Sequence, residues 1–208
     1  MNKWQRFWGH LRTVHKHRKM VRKLCFKCGL YWQGLTHDLS KYSHTEFWNG
    51  VKYFTGTASP HVGERKAKGY SDAWLHHHNR NKHHAEYWVD IVDGKSAPVK
   101  IPFKYLAEMI CDRVAASMVY LGDKYTDSAP FDYFKSHLDE NQFHEYTKRE
   151  LVDWLATIEL YGLESALKQI KMELQMEKEY EKCVRSQIRA ISGGSRHLRN
   201  FNQPPYGD

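Results

Sequence analysis

Fourteen of the 208 residues are histidine, and five of them fall between residues 76 and 84. Imidazole is the commonest metal-ligating side chain and the usual proton carrier near neutral pH, so the enrichment points toward metal-assisted chemistry. The stretch Ala73-Trp-Leu-His-His-His-Asn-Arg-Asn-Lys-His-His-Ala-Glu-Tyr-Trp88 interleaves those histidines with aromatic rings. That suits the wall of a buried site better than a solvated histidine-rich surface. On a continuous helix His77, Asn81 and His84 share one face, since four and seven residues are near whole turns. His83 points elsewhere unless the helix ends before it.

Three other segments can supply partners. His17 lies three residues after Val14 and four before Val21, on an apolar helical stripe, where a lone histidine is ordinarily a satisfied core residue. His37 and Asp38 are adjacent, and Lys41 follows within the same short passage, so an ammonium can sit beside a histidine-carboxylate pair. Asp112 falls among Met109, Ala115, Ala116 and Val119 at helical neighbour spacing. A carboxylate there needs a cation, a hydrogen-bond network or water. Glu108 sits one turn earlier on the same face, and a salt bridge to Arg113 is the bland alternative for this helix.

The elements that must carry these residues are helical. Residues 4 to 28 read as one long amphipathic helix, with Phe7, Leu11, Val14, Val21, Leu24 and Cys28 at three- and four-residue steps and Gly29 as its stop. Residues 30 to 41 are turn-rich. Ser43 and Glu46 form a capping-box pattern that opens a helix through Phe54. Residues 55 to 69 read as a loop, 71 to about 81 as a helix, and 90 to 102 as a second loop. Residues 104 to 121 are apolar on nearly every side and predict a central buried helix. A second capping box, Thr147 with Glu150, opens a helix toward Tyr161. Gly162 interrupts it, and an alternating-charge helix continues to about residue 190. The expected class is all-α, with a metal-binding domain over residues 1–143, helices packed on it over 144–191, and a tail without structure over 192–208.

Composition narrows the function classes. The chain is 41% hydrophobic, enough for a packed core, and has no apolar run long enough to span a bilayer. The N-terminus carries charges throughout and no signal-like stretch, so a soluble, cytoplasmic protein is expected. Cys25 and Cys28 form a C-x-x-C on a helical stretch with no second half, which reads as two reduced core cysteines. The net charge of +8 favours a small anionic partner. The loose cluster Lys16, Arg18, Lys19, Arg22 and Lys23 reads as a solvated helix face, with a nucleic-acid surface the less favoured alternative.

The order His17, His37-Asp38 with Lys41, His77, His83-His84, Asp112 resembles the H…HD…H…HH…D series of the HD-domain superfamily. His37 to Lys41 and His83 to Glu86 are similar to the HD-x-x-K and HH-x-E elements of its HD-GYP branch. "HDLSKYS…EF" and "NKHH" resemble elements of a poorly characterised bacterial and phage family. The glycine-tyrosine-proline motif itself is absent, so no cyclic-dinucleotide substrate is implied. The resemblance spans residues 14 to 120 and implies an HD-like helical bundle with a C-terminal helical extension. It also implies metal-dependent hydrolysis of a phosphate monoester or phosphodiester, a nucleotide among the candidates. In that reading Asp38 bridges two ions, with His17, His37 and Asp112 on one and His77, His83 and His84 on the other. Such a donor set suits iron, manganese or zinc, as one or two ions. Asp38 and Lys41 are then the catalytic candidates, and Arg80 and Asn81 the substrate-binding ones. Two alternatives stay open: a di-iron oxygenase of the HD-like type, and a non-catalytic, metal-stabilised nucleotide-binding protein.

Overall fold

The computed structural model describes residues 1–137 and 143–199, with side chains through residue 191. It is an all-α fold carrying one small hairpin. Helix α1 (Lys3–Lys27) starts on a complete capping box, in which Asn2 Oδ1 accepts from the Gln5 amide and Gln5 Oε1 accepts from the Asn2 amide. Its buried stripe is His10, Val14, His17, Val21, Leu24 and Cys25, so two histidines seven residues apart face inward. After Gly29, at φ +77°, follow α2 (Tyr31–Thr36), a 3-10 turn (Leu39–Tyr42), α3 (His44–Tyr53), α4 (Pro60–Lys68) and α5 (Asp72–His78). Strands β1 (Val89–Val92) and β2 (Lys95–Pro98) pair antiparallel, with Val89 opposite Pro98 and Val92 opposite Lys95. Then come α6 (Phe103–Leu121), α7 (Ala129–Ser136), α8 (Glu145–Tyr161) and α9 (Leu163–Arg199).

Helix α6 is the axis of the core. Leu106, Ile110, Cys111, Val114 and Ala115 are fully buried against Val21 and Leu24 of α1, Leu151, Leu155 and Ile158 of α8, and Leu167 and Ile170 of α9. Each large aliphatic side chain removed from water there contributes roughly 1.5–3 kcal/mol. Cys25, Cys28 and Cys111 join this core as free thiols, Cys28 and Cys111 with their sulfurs 4.0 Å apart. No helix among the described residues is long and apolar enough to cross a membrane.

Several local expectations are corrected. The passage over 30–41 contains α2 and the 3-10 turn, and the loop over 55–69 contains α4, which opens on Pro60 at its first turn and closes on Gly69 at φ +83°. The second loop is the hairpin, turned by Asp93 and Gly94 with φ of 50° and 74°. Helix α5 ends at His78, three residues short of Asn81. Thr147 does not cap α8; His144 does, and the Thr147 hydroxyl lies inside the helix accepting the Ile101 amide at 3.0 Å. Helix α9 runs past residue 192, where a tail is expected, through Arg199. The rest of that expected tail, residues 200–208, lies outside the described residues.

Candidate metal centre

Asp38 stands at the middle of the site and is the product of a strained turn. The chain leaves α2 through His37 and takes the left-handed conformation at Asp38, φ 53° and ψ 28°, before the 3-10 turn begins. Aspartate tolerates that region better than most residues, at a cost on the order of 1 kcal/mol. Arg18 of α1 holds the turn in place. Its Nε donates to the His37 carbonyl at 2.8 Å and its Nη2 to the Leu35 carbonyl at 3.1 Å. Its Nη1 donates to the Tyr42 hydroxyl at 3.1 Å. The arginine that reads in sequence as part of a solvated face is therefore a clamp on the His-Asp turn.

The remaining residues converge from four directions. His17 comes from the inward stripe of α1 and Asp112 from α6. His77 is the penultimate residue of α5, and the turn beyond that helix brings in His83 and His84. Because α5 stops at His78, His83 escapes the helical register and becomes a buried member of the cluster. Asn81 braces this turn, donating to the His77 carbonyl at 2.7 Å and to Ser40 Oγ at 2.8 Å.

Two groups of donor atoms share Asp38, and a third joins His37, His83 and Glu108. Asp38 Oδ2 lies 3.3 Å from His37 Nε2 and 3.6 Å from His17 Nε2, while Asp112 Oδ1 lies 2.9 Å from His17 Nε2 and 3.4 Å from His37 Nε2. Asp38 Oδ1 faces His77 Nε2 at 3.3 Å and His83 Nε2 at 3.5 Å. The His84 ring lies 4.2 Å from the His83 ring, tilted to it, and 4.8 Å from the His77 ring, edge-on, centre to centre. In each group one donor atom per residue lies within 4.8 Å of all the others. All seven residues read from the sequence as metal ligands fall in these two groups.

The donor atoms are poorly served by the protein itself. His17 Nε2, His37 Nε2, His83 Nε2, His84 Nε2 and both Asp38 oxygens are buried without a hydrogen-bond partner. Several are at ion-pair distance from one another, and Asp38 Oδ2 also meets the Lys41 ammonium. Orphaned lone pairs at this density are costly, and a bound cation satisfies them together. The buried cluster can hold a metal ion.

Two carboxylates outside the groups that share Asp38 fix the rings. Glu108 Oε1 accepts from His37 Nδ1 at 2.9 Å and lies 3.2 Å from His83 Nδ1. Glu46 accepts from His77 Nδ1 at 2.7 Å through one oxygen and from His76 Nδ1 at 2.6 Å through the other. A proton held on Nδ1 leaves Nε2 bare, the form a metal requires, and such outer carboxylates orient a ligating imidazole. The sequence reading treats Glu46 only as half of a capping box. Ser43 does accept the Glu46 amide, at 3.3 Å, but the carboxylate turns inward. The available signal was a glutamate preceding Phe47 and Trp48 on the buried side of a short helix. Arg113, the alternative partner for Asp112, instead stacks over Phe134 at 5.2 Å.

Electrostatics follow from this crowding. Burial works against charge on every member. Even so, Asp38 with its neighbours His37, Lys41 and His77 is held well below the usual carboxylate range. Asp112 is likewise held down by His17 and His37. Burial would lower His37, but Asp38, Asp112 and Glu108 raise it well above 6.5. Burial, reinforced by His83 and His77, puts His84 well below it. Lys41 Nζ sits 2.5 Å from Asp38 Oδ2 with its side chain one-quarter exposed, and Asp38 and Asp112 raise its pKa against the effect of burial. The two residues read as substrate-binding are not brought to the centre with free donors. Asn81 spends its amide hydrogens on the brace. Arg80 is exposed and donates to the His76 carbonyl at the end of α5 at 3.2 Å.

A family model described as "Family of unknown function (DUF5662)" matches residues 6–158, and the chain belongs to that family. Neither the curated proteins nor the solved structures contain a match.

Proposed function

We propose that this DUF5662 chain is a metal-dependent phosphohydrolase of the HD type, acting on a small phosphate monoester or phosphodiester. The observation that carries the reading is the position of Asp38. Its two oxygens face two separate sets of orphaned histidine nitrogens, and an ammonium lies on the open side. Iron, manganese or zinc suits this donor set, and ions held there supply water activation and neutralise phosphate charge. The chain's own residues do the rest. His17, His37 and Asp112 would hold one ion, His77, His83 and His84 the other, and Asp38 would lie between them. Glu46 and Glu108 keep the Nε2 lone pairs pointed inward. Lys41, released from Asp38 when cations take over that carboxylate, is free to pair with phosphate oxygens or the departing oxygen.

An oxygenase could use the same ligands. Lys41 beside the carboxylate favours an anionic substrate and hence the hydrolase. Anaerobic purification with elemental analysis, followed by a panel of phosphate esters with added manganese or iron, tests the proposal. The expected result is one or two transition-metal ions per chain and ester hydrolysis, both abolished in the His37→Ala/Asp38→Ala double variant. Full metal content in that variant overturns the site. Dioxygen consumption with an organic substrate, and no release of phosphate or alcohol from any ester, overturns the reaction.

A further inference from the structure

A second polar network, which neither ligand group uses, runs from α4 to the start of α5. Glu64 is buried in α4 yet held as a carboxylate: burial would raise its pKa, but Ser71, Lys68 and the Ala73 amide bring it below its ordinary value. Ser71 Oγ donates to Glu64 Oε2 at 2.6 Å and accepts the Trp74 amide at 3.0 Å as the cap of α5. Lys68 Nζ binds Glu64 Oε1 at 3.0 Å. The last member is His61, whose Nδ1 lies 3.3 Å from Ser71 Oγ.

Counting hydrogens settles who donates. A serine hydroxyl has one proton, and Ser71 spends it on a carboxylate that has none to give back. Ser71 Oγ can only accept from His61, so the proton of the His61 ring sits on Nδ1. Its Nε2 is then a bare acceptor at the opposite edge of the ring, with no protein partner among the described residues. The ring belongs to the wall of the metal centre. Its centre is 5.4 Å from that of Trp74 and 6.3 Å from that of His77. Burial and the nearby charges of Lys41, His77 and Arg65 lower its pKa to about 3. Above the ordinary imidazole range of about 6.5 the ring is neutral, and with its proton on Nδ1 toward Ser71 its Nε2 is an acceptor.

We infer that His61 is a tautomer-locked hydrogen-bond acceptor at the metal centre, taking the P–O–H hydrogen of a singly protonated phosphate group. The ligand half of this inference rests on the phosphohydrolase reading; the tautomer half stands alone. A Glu64–Ser71 network that merely tied α4 to α5 would not need an imidazole beside the ligand groups with one nitrogen left open.

Long-range proton–nitrogen NMR correlation on the histidine rings of the ion-free chain, with His61→Phe to assign the signal, reads the tautomer directly. The expected spectrum has the proton on Nδ1 and a bare Nε2, with the fixed tautomer lost in Ser71→Ala. A proton on Nε2 in the wild type overturns the inference. In the manganese-loaded protein, hydrogenphosphate and sulfate are then compared as probes, because sulfate has the same shape without a hydrogen to donate. Wild type should prefer phosphate by about tenfold or more, the scale of one polar mismatch. His61→Phe should lose about tenfold of that preference while retaining its metal, keeping only what the metal itself confers. An undiminished preference in His61→Phe, or no binding of either anion, overturns the ligand assignment. Ester hydrolysis with a normal tautomer and no phosphate preference leaves the phosphohydrolase reading standing and removes only this role for His61.

Discussion

Glu108→Ala should weaken both halves of the metal centre at once, whereas Glu46→Ala should weaken one. Glu108 serves His37 and His83 through a single oxygen, at 2.9 and 3.2 Å, and of the two groups that share Asp38 each contains one of these rings. Glu46 serves His77 and the non-ligand His76. Losing an outer-shell carboxylate typically lowers metal affinity 10- to 100-fold, which is about 1.4–2.7 kcal/mol per ion. Glu108→Ala should therefore cost up to about 5 kcal/mol summed over two ions, and Glu46→Ala about half that. Glu108→Gln adds a sharper contrast. Both bonds end on one oxygen, so an amide with its oxygen in that place keeps both Nδ1 protons satisfied and loses only charge. Glu46 uses each oxygen for a different ring, so Glu46→Gln must present an NH2 to one of them. If that ring is His77, its Nε2 becomes protonated and cannot ligate. Anaerobic titration of ion-free protein with manganese or zinc against a competing chelator gives the stepwise constants. Glu108→Ala weakening only one step, or Glu108→Gln behaving no better than Glu108→Ala, would refute the division of the centre around Asp38.

Other outcomes follow from the same geometry. Lys41→Met should keep metal content near normal while lowering ester turnover by about a hundredfold or more, read by metal analysis and initial rates on one sample. His37 is raised well above 6.5 in the ion-free chain, so its stabilising pairing is fully present below about 6.5 and is lost as pH climbs through the higher folded value. Metal needs that nitrogen bare, so affinity should rise with pH over the same window, and calorimetry in two buffers should show proton release at pH 7. Arg18→Leu, which frees the His37 and Leu35 carbonyls, should lower thermal stability by about 1–2 kcal/mol and weaken metal binding. Gly50→Ala should destabilise by about 1–3 kcal/mol in a denaturant titration, because the added methyl falls on the buried His10 ring.

Helix periodicity made the long elements legible. The stripe of α1 and the all-round apolar surface of α6 are strong signals, and the core they build is continuous, so His17 and Asp112 could be placed facing inward before any coordinates. Short elements escaped for physical reasons. Helix α4 has nine residues with one buried position, Glu64, so no apolar period exists to read. The strands of the hairpin are four residues each, and β1 is exposed throughout. Their signal was the Asp93-Gly94 pair, which supplies two successive positive φ values for a tight turn. The end of α5 mattered most, because the continuous-helix register excludes His83, and only a tertiary brace such as Asn81 fixes where the register breaks. Glu46 was hidden because a local explanation, the cap, already accounted for it.

The left-handed backbone at Asp38 makes the centre's principal residue a standing liability for the bare fold. Glycine would enter that conformation without strain but would delete the carboxylate that Lys41 and the surrounding histidines pair with. Asp38→Gly should then lose the stabilisation that added ions give the wild type, so that the melting temperature responds to metal in one protein and not in the other. A left-handed backbone beneath a carboxylate at the middle of a histidine cluster is the kind of compromise in folding that a bound cation would repay.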